Sequence, residues 1–209
     1  MDSRTRSIAV VLFDGFEVLD VFGPVELFSR LPDSFALSYV AAKPGPVSSA
    51  QGIDVIASES FEVADTPDIV LVPGGKGTRK LVDDRELLDS LAAWSSGAEL
   101  ITSVCTGSAV LAAAGLLDGY RATSNKKAFT WASSHGRDVT WVPQARWVED
   151  RDRWTSSGVA AGMDMAAAII AHLNGTEAAE TAAREIELDI HTDPNWDPFA
   201  AHYGLGSTE

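Results

Sequence analysis

The sequence predicts an α/β protein: a mostly parallel sheet with helices on both faces. Three observations carry that prediction. Short apolar runs at residues 8–13 (IAVVLF), 68–72 (DIVLV) and 99–104 (ELITSV) have the length and composition of strands buried on both faces. Segments with helical spacing alternate with them, the order that parallel βαβ units require. Each run also stops abruptly, at Asp14-Gly15, Pro73-Gly74-Gly75 and Cys105-Thr106-Gly107. Ligands of parallel sheets bind beyond the carboxyl ends of the strands, so these three corners are where chemistry is expected.

The elements follow in order. After the first strand, Val18, Leu19, Phe22, Val25 and Phe28 recur at helical spacing, and Gly23-Pro24 is expected to start the regular helix. Residues 35–41 (FALSYVA) read as a second strand, Pro44-Gly45-Pro46 as a turn and 52–56 as a short edge strand. Helices are expected over 84–95 and 106–117, the latter closed by Asp118-Gly119. A short helix over 126–133, a strand over 139–142 and a hairpin pairing 146–148 with 153–156 come next. Helices over 160–173 and 176–189 complete a core of about residues 8–190, followed by an irregular tail over 191–209. A single domain is expected, with no internal repeat and no long linker.

Composition narrows the function. Thirty acidic against sixteen basic residues leave a formal charge of −14, a surface that repels phosphate backbones and anionic lipids. No nucleic-acid or membrane partner is therefore expected, and a chain of 209 residues buries a core without disulfide staples. The single cysteine excludes an internal disulfide, and neither it nor His191, Asp193 and His202 offers metal-ligand spacing, so no metal is expected. The opening run MDSRTRSIAVVLF stops at Asp14 without a cleavage pattern, and nothing approaches the ~20 apolar residues of a membrane span. A cytoplasmic protein is expected.

The segment ELITSVCTGSAVLAAAGLL is the most informative. A strand runs into a helix with only Cys-Thr-Gly at the corner, the arrangement of a nucleophile elbow. Cys105 would stand clear of the sheet at a helix N-terminus, where free N–H groups favour thiolate over thiol. A free cysteine is more often an inert buried hydrophobe, but the corner position outweighs that reading. In VLVPGGKG, a glycine N–H is expected to complete an oxyanion-type hole with that of Thr106.

A proton-transfer partner must come from elsewhere. None of His135, His172, His191 and His202 is near the cysteine in sequence; His135 could reach it through the fold or simply occupy a surface turn. The other candidates are Glu17 and Asp20 in FDGFEVLDVFGP. Asp20 lies among Leu19, Val21 and Phe22, a setting that raises a carboxyl pKa; its alternative role is a helix cap.

Together, VVLFDGFEVLDVFGPVELF, DIVLVPGGKGT and ITSVCTGSAVLAAAGLLDGYRAT resemble the ThiJ/PfpI superfamily, related to class I glutamine amidotransferase domains. The resemblance spans roughly residues 8–175 and implies a flavodoxin-like fold. Within it, LDVFGP and SVCTG look most like the isonitrile hydratase branch. That resemblance implies a cofactor-independent lyase, usually a homodimer, acting on a small molecule. Cys105 would attack the isonitrile carbon and Asp20 would shuttle protons, while Thr106, Gly74, Gly75 and Gly107 orient the intermediate. Thr106 stands where peptidase-type members carry histidine. ATSNKKAF replaces the branch's Thr-His-Trp segment, so Ser124 and Asn125 are expected to line the substrate pocket. Glyoxalase- or deglycase-like chemistry and a thiol redox sensor are the rival functions; the missing histidine and the aspartate at position 20 favour the hydratase. A DNA-binding regulator is disfavoured by charge and by the short extent of chain after the last core helix. Trp94, Trp131, Trp141, Trp147 and Trp154 are expected to pack within the core or a dimer, whereas Trp196 lies in the tail.

Overall fold

The computed structural model describes residues 4–206; the outermost residues of the N-terminal run and of the expected tail lie outside that range. Seven strands form the central sheet: β1 (Arg6–Val11), β2 (Phe35–Ala41), β5 (Glu59–Ser60), β6 (Ile69–Val72), β7 (Leu100–Ser103), β10 (Trp147–Asp150) and β11 (Arg153–Ser156). Their order is β10-β11-β7-β6-β1-β2-β5, parallel throughout except for β10 against β11. Ile8 of β1 pairs with Leu37 and Ile69, and Ile69 in turn with Leu100, so the central strands carry apolar residues on both faces. Two small pairs lie outside the sheet, β3 (Gly45–Ser48) with β4 (Asp54–Ala57) and β8 (Arg121–Ala122) with β9 (Thr140–Trp141).

The crossover from β1 through α1 (Val18–Ser29) runs toward β2, while that from β6 through α2 (Thr78–Leu81) and α3 (Arg85–Ser95) runs toward β7. Right-handed connections therefore put α1 and α3 on opposite faces and create a topological switch point between β1 and β6. Helix α4 (Gly107–Ala113) continues the second layer, whereas α6 (Ala161–Asn174) packs on α1 and α7 (Thr176–Glu185).

Several boundaries differ from the sequence reading, each for a local reason. Helix α1 begins at Val18, and Pro24 sits inside it: the proline forfeits a hydrogen bond and crowds the carbonyl four residues back, and burial of Val21, Leu27 and Phe28 on either side holds the helix across it. The expected edge strand at 52–56 is β4, paired with β3 through the stretch read as a turn, and it is not an edge of the main sheet. The helix expected over 106–117 is regular only to Ala113, because Gly115 and Gly119 adopt φ of 77°. The helix expected to reach residue 189 stops at Glu185, and Glu187 takes a left-handed φ.

The tail is less irregular than expected. It holds a 3₁₀ turn (Ala201–Tyr203), buries Ala200, and is fastened at two points. The buried Lys126 ammonium lies 3.1 Å from Asp197 and donates to Ala145 O (2.6 Å) and Thr123 Oγ1 (2.9 Å). Arg146 pairs with Asp164, which also accepts the His191 N–H, and Trp196 stacks on the His191 ring at 3.9 Å. Among the described residues no helix is long and apolar enough to cross a membrane.

Candidate active site

The corner after β7 is strained in the manner of a nucleophile elbow. Cys105 has φ 58°, a left-handed conformation that costs an L-residue roughly 1–2 kcal/mol. Its backbone is held on both sides. The N–H lies within hydrogen-bonding distance of Ser156 O (3.2 Å) and Ser157 O (3.1 Å), and the carbonyl accepts from Ser108 Oγ (3.1 Å) and Ser124 Oγ (3.0 Å). Such over-determination is what lets strain persist. Gly107 is the packing condition of the corner: a Cβ there would lie 2.2 Å from Val72 O, so only glycine lets α4 start this close to β6.

Asp20 faces the sulfur from the first turn of α1. It is fully buried, and its Oδ2 accepts the Gly74 N–H at 2.8 Å rather than capping its own helix. Burial raises its pKa to about 7; the Glu17 charge adds to this, while the Gly74 N–H and the Cys105 thiol oppose it. Asp20 rather than Glu17 therefore meets the sulfur. Glu17 caps α1 without a side-chain bond to it, gives its N–H to Gly74 O (2.9 Å), and accepts from Gln51.

The Cys105 thiol is pushed up to about 12, first by burial and then by the Asp20 charge, against the N–H groups of Thr106 and Val159 and the Thr106 hydroxyl. This reverses the expectation that the helix N-terminus favours thiolate. Two backbone donors do not offset a buried site with a carboxylate beside it. The resting pair is a thiol facing a carboxyl that titrates near neutrality.

The glycine and hydroxyl candidates are present, with different tasks. The Gly74 N–H is taken by Asp20, the Gly75 N–H by Thr106 Oγ1 (3.2 Å) and the Gly107 N–H by Val104 O (3.0 Å). None of these three amides stands free for an oxyanion; they fix the carboxylate, the hydroxyl and the corner. Gly75 has φ 124°, and a Cβ would fall 2.3 Å from Gly15 O, which ties this turn to the one after β1. Ser124 is fully buried under the elbow, so it clamps Cys105 rather than lining a pocket. Asn125 caps a 3₁₀ turn (Lys126–Ala128) by accepting the Ala128 N–H at 3.1 Å, and its amide sits over Gly158.

No histidine is among the groups that act on Cys105 or Asp20. His135 packs edge-on to Trp131, His172 lies beside Glu149 and Trp154, His191 is in the tail stack and His202 contacts Tyr203. Two further groups at the site are not among the residues the sequence singled out. Thr78 donates to Gly75 O (2.7 Å) and lies 3.1 Å from Thr106 Oγ1, and the Val159 N–H points at the sulfur from the loop after β11. The only sequence signal for Val159 is its place beyond the carboxyl end of a parallel strand.

A doubly wound sheet with a strained cysteine corner facing a buried carboxyl at its switch point defines an α/β protein of the elbow-cysteine class. Residues 6–172 match the DJ-1/PfpI family, and the chain belongs to it. Over 181 residues it is 34% identical to an isonitrile hydratase from Pseudomonas putida, covering 86% of this chain and 77% of that one. It is 29% identical over 177 residues to the HTH-type transcriptional regulator GbdR of Pseudomonas aeruginosa, of whose length the match covers 48%. Among solved structures, a ThiJ/PfpI family protein from Pseudomonas syringae superposes with a TM-score of 0.81 at 34% identity, covering 92% of this chain and 78% of that one. Drosophila melanogaster DJ-1beta, at TM-score 0.77 and 22% identity over 88% of this chain and 99% of its own, shares the fold.

Proposed function

We propose that the protein is a cofactor-independent isonitrile hydratase, converting a small isonitrile to an N-formamide. The observation that carries the reading is a buried carboxyl, held by the Gly74 N–H at 2.8 Å beside the Cys105 thiol, whose pKa is about 7. Addition of a thiol to an isonitrile develops charge on carbon, which a proton resolves. It needs a proton carrier against the sulfur more than a set of free amides. The 34% identity to an isonitrile hydratase over most of the chain supports the same chemistry. A redox sensor works through an exposed, low-pKa thiolate, the opposite of this buried thiol.

The steps use only residues of the chain. Ionised Asp20 takes the thiol proton as sulfur attacks the terminal isonitrile carbon, then delivers that proton to the same carbon, leaving a thioimidate, R–N=CH–S. Water adds to the thioimidate carbon, with one proton passing to nitrogen. Asp20 takes the remaining hydroxyl proton as the C–S bond breaks and returns it to sulfur, releasing R–NH–CHO and the thiol. The Thr106 and Val159 N–H groups stabilise the sulfur whenever it carries charge. The test is formamide production from cyclohexyl and aryl isonitriles, with Cys105→Ala as the blank. Turnover abolished in the blank supports the assignment, and no turnover across the panel overturns it.

A further inference from the structure

Beside the Cys105–Asp20 pair lies a cluster that the hydration steps leave unused. Thr78, hydrogen-bonded to Thr106, is followed by Arg79, whose guanidinium carbon lies 3.3 Å from the centre of the Trp131 ring. Trp131 belongs to α5 (Phe129–Ala132), which follows directly on the turn capped by Asn125 and, one residue earlier, on Ser124, the clamp on the Cys105 carbonyl. Both halves of the stack are thus fastened to the elbow, one through Thr78 and one through residues 124–129.

Arg79 is exposed, and among the described residues it forms no salt bridge, in a chain with thirty acidic residues. It is within electrostatic reach of Cys105, and of His135, which packs edge-on to Trp131 and also feels the Asp83 charge. Stacking on an indole occupies the face of a guanidinium and leaves its N–H edges for a planar anion, to which arginine can present two parallel donors.

We propose that Arg79, seated on Trp131 and carried by the helical turn that Thr78 joins to the elbow, forms a carboxylate-binding subsite, so that the substrate is an isonitrile bearing an acid group. The reaction in this proposal rests on the hydratase reading; the subsite itself does not. Two experiments separate them. In the first, isocyanoacetate and its methyl ester are compared as substrates. Arg79→Gln should lower the ratio of kcat/KM for acid over ester by about tenfold or more, the value of a charge-assisted hydrogen bond. Arg79→Lys, which keeps the charge without the fork, should fall between. In the second, the chain's single cysteine is alkylated by iodoacetate or iodoacetamide, sulfur bonding to the CH₂ as iodide leaves, and mass spectrometry follows the rate. Arg79→Gln should lower the iodoacetate-to-iodoacetamide rate ratio severalfold at low ionic strength. A lowered alkylation ratio in a protein that hydrates no isonitrile upholds the subsite and overturns the reaction. Isonitrile turnover with both ratios unchanged overturns the subsite and leaves the reaction standing.

Discussion

Asp20 and Cys105 each set the other's proton affinity, and the consequences are measurable. Because Asp20 must be ionised to take the thiol proton, kcat/KM should rise with pH through about 7, and Asp20→Asn should abolish that limb together with most activity. The same shift affects stability. Between its ordinary value of 3.8 and about 7, the unfolded chain releases the Asp20 proton while the folded chain keeps it. Folding is therefore penalised progressively as pH rises through that window, reaching roughly 4 kcal/mol above it. Asp20→Asn can still accept the Gly74 N–H and carries no charge. It should match the wild type near pH 4 and exceed it in urea unfolding at pH 8; equal stability at both pH values would show that burial does not penalise the carboxylate.

The site is assembled by turns between elements, and its tolerance to change is set by how closely those turns approach one another. Adding one methyl at Gly107 would place carbon 2.2 Å from Val72 O and push α4 off β6. Gly107→Ala should cost roughly 1–3 kcal/mol in urea unfolding and lower kcat, since the α4 start carries the Thr106 N–H. What the sequence made legible follows the same division. Cys105 was readable because it sits at the abrupt end of an apolar run, and Asp20 because a carboxylate interrupts an apolar stretch. Thr78 was not, because α2 is a single turn with no periodicity to reveal it. Val159 acts through its backbone, which no residue type announces. Burial is likewise a property of the assembled layers, and for that reason the direction of the Cys105 shift could not be read from its place before a helix.

At the scale of the whole molecule, residues 191–206 are part of the folded body, held by the Lys126–Asp197 ion pair and by the His191 N–H on Asp164 more than by regular structure. Lys126 and Asp197 have side chains 2% and 1% exposed, so removing one leaves the other buried and uncompensated. Lys126→Met should destabilise by roughly 3–5 kcal/mol and speed proteolysis within 191–206, while Lys126→Met with Asp197→Leu should recover most of the loss. Unchanged proteolysis in the single variant would place the anchor elsewhere. The sequence marked this stretch only as polar-aromatic, since a lysine and an aspartate so far apart give no local sign of pairing.

That pairing also has a consequence for synthesis. A ribosome delivers Cys105, Ser124 and Lys126 long before Asp197, and until Asp197 arrives the ammonium has no carboxylate to join and stays in water. In a chain still being synthesised, the Lys126 charge therefore finds its buried partner only once translation has passed residue 197.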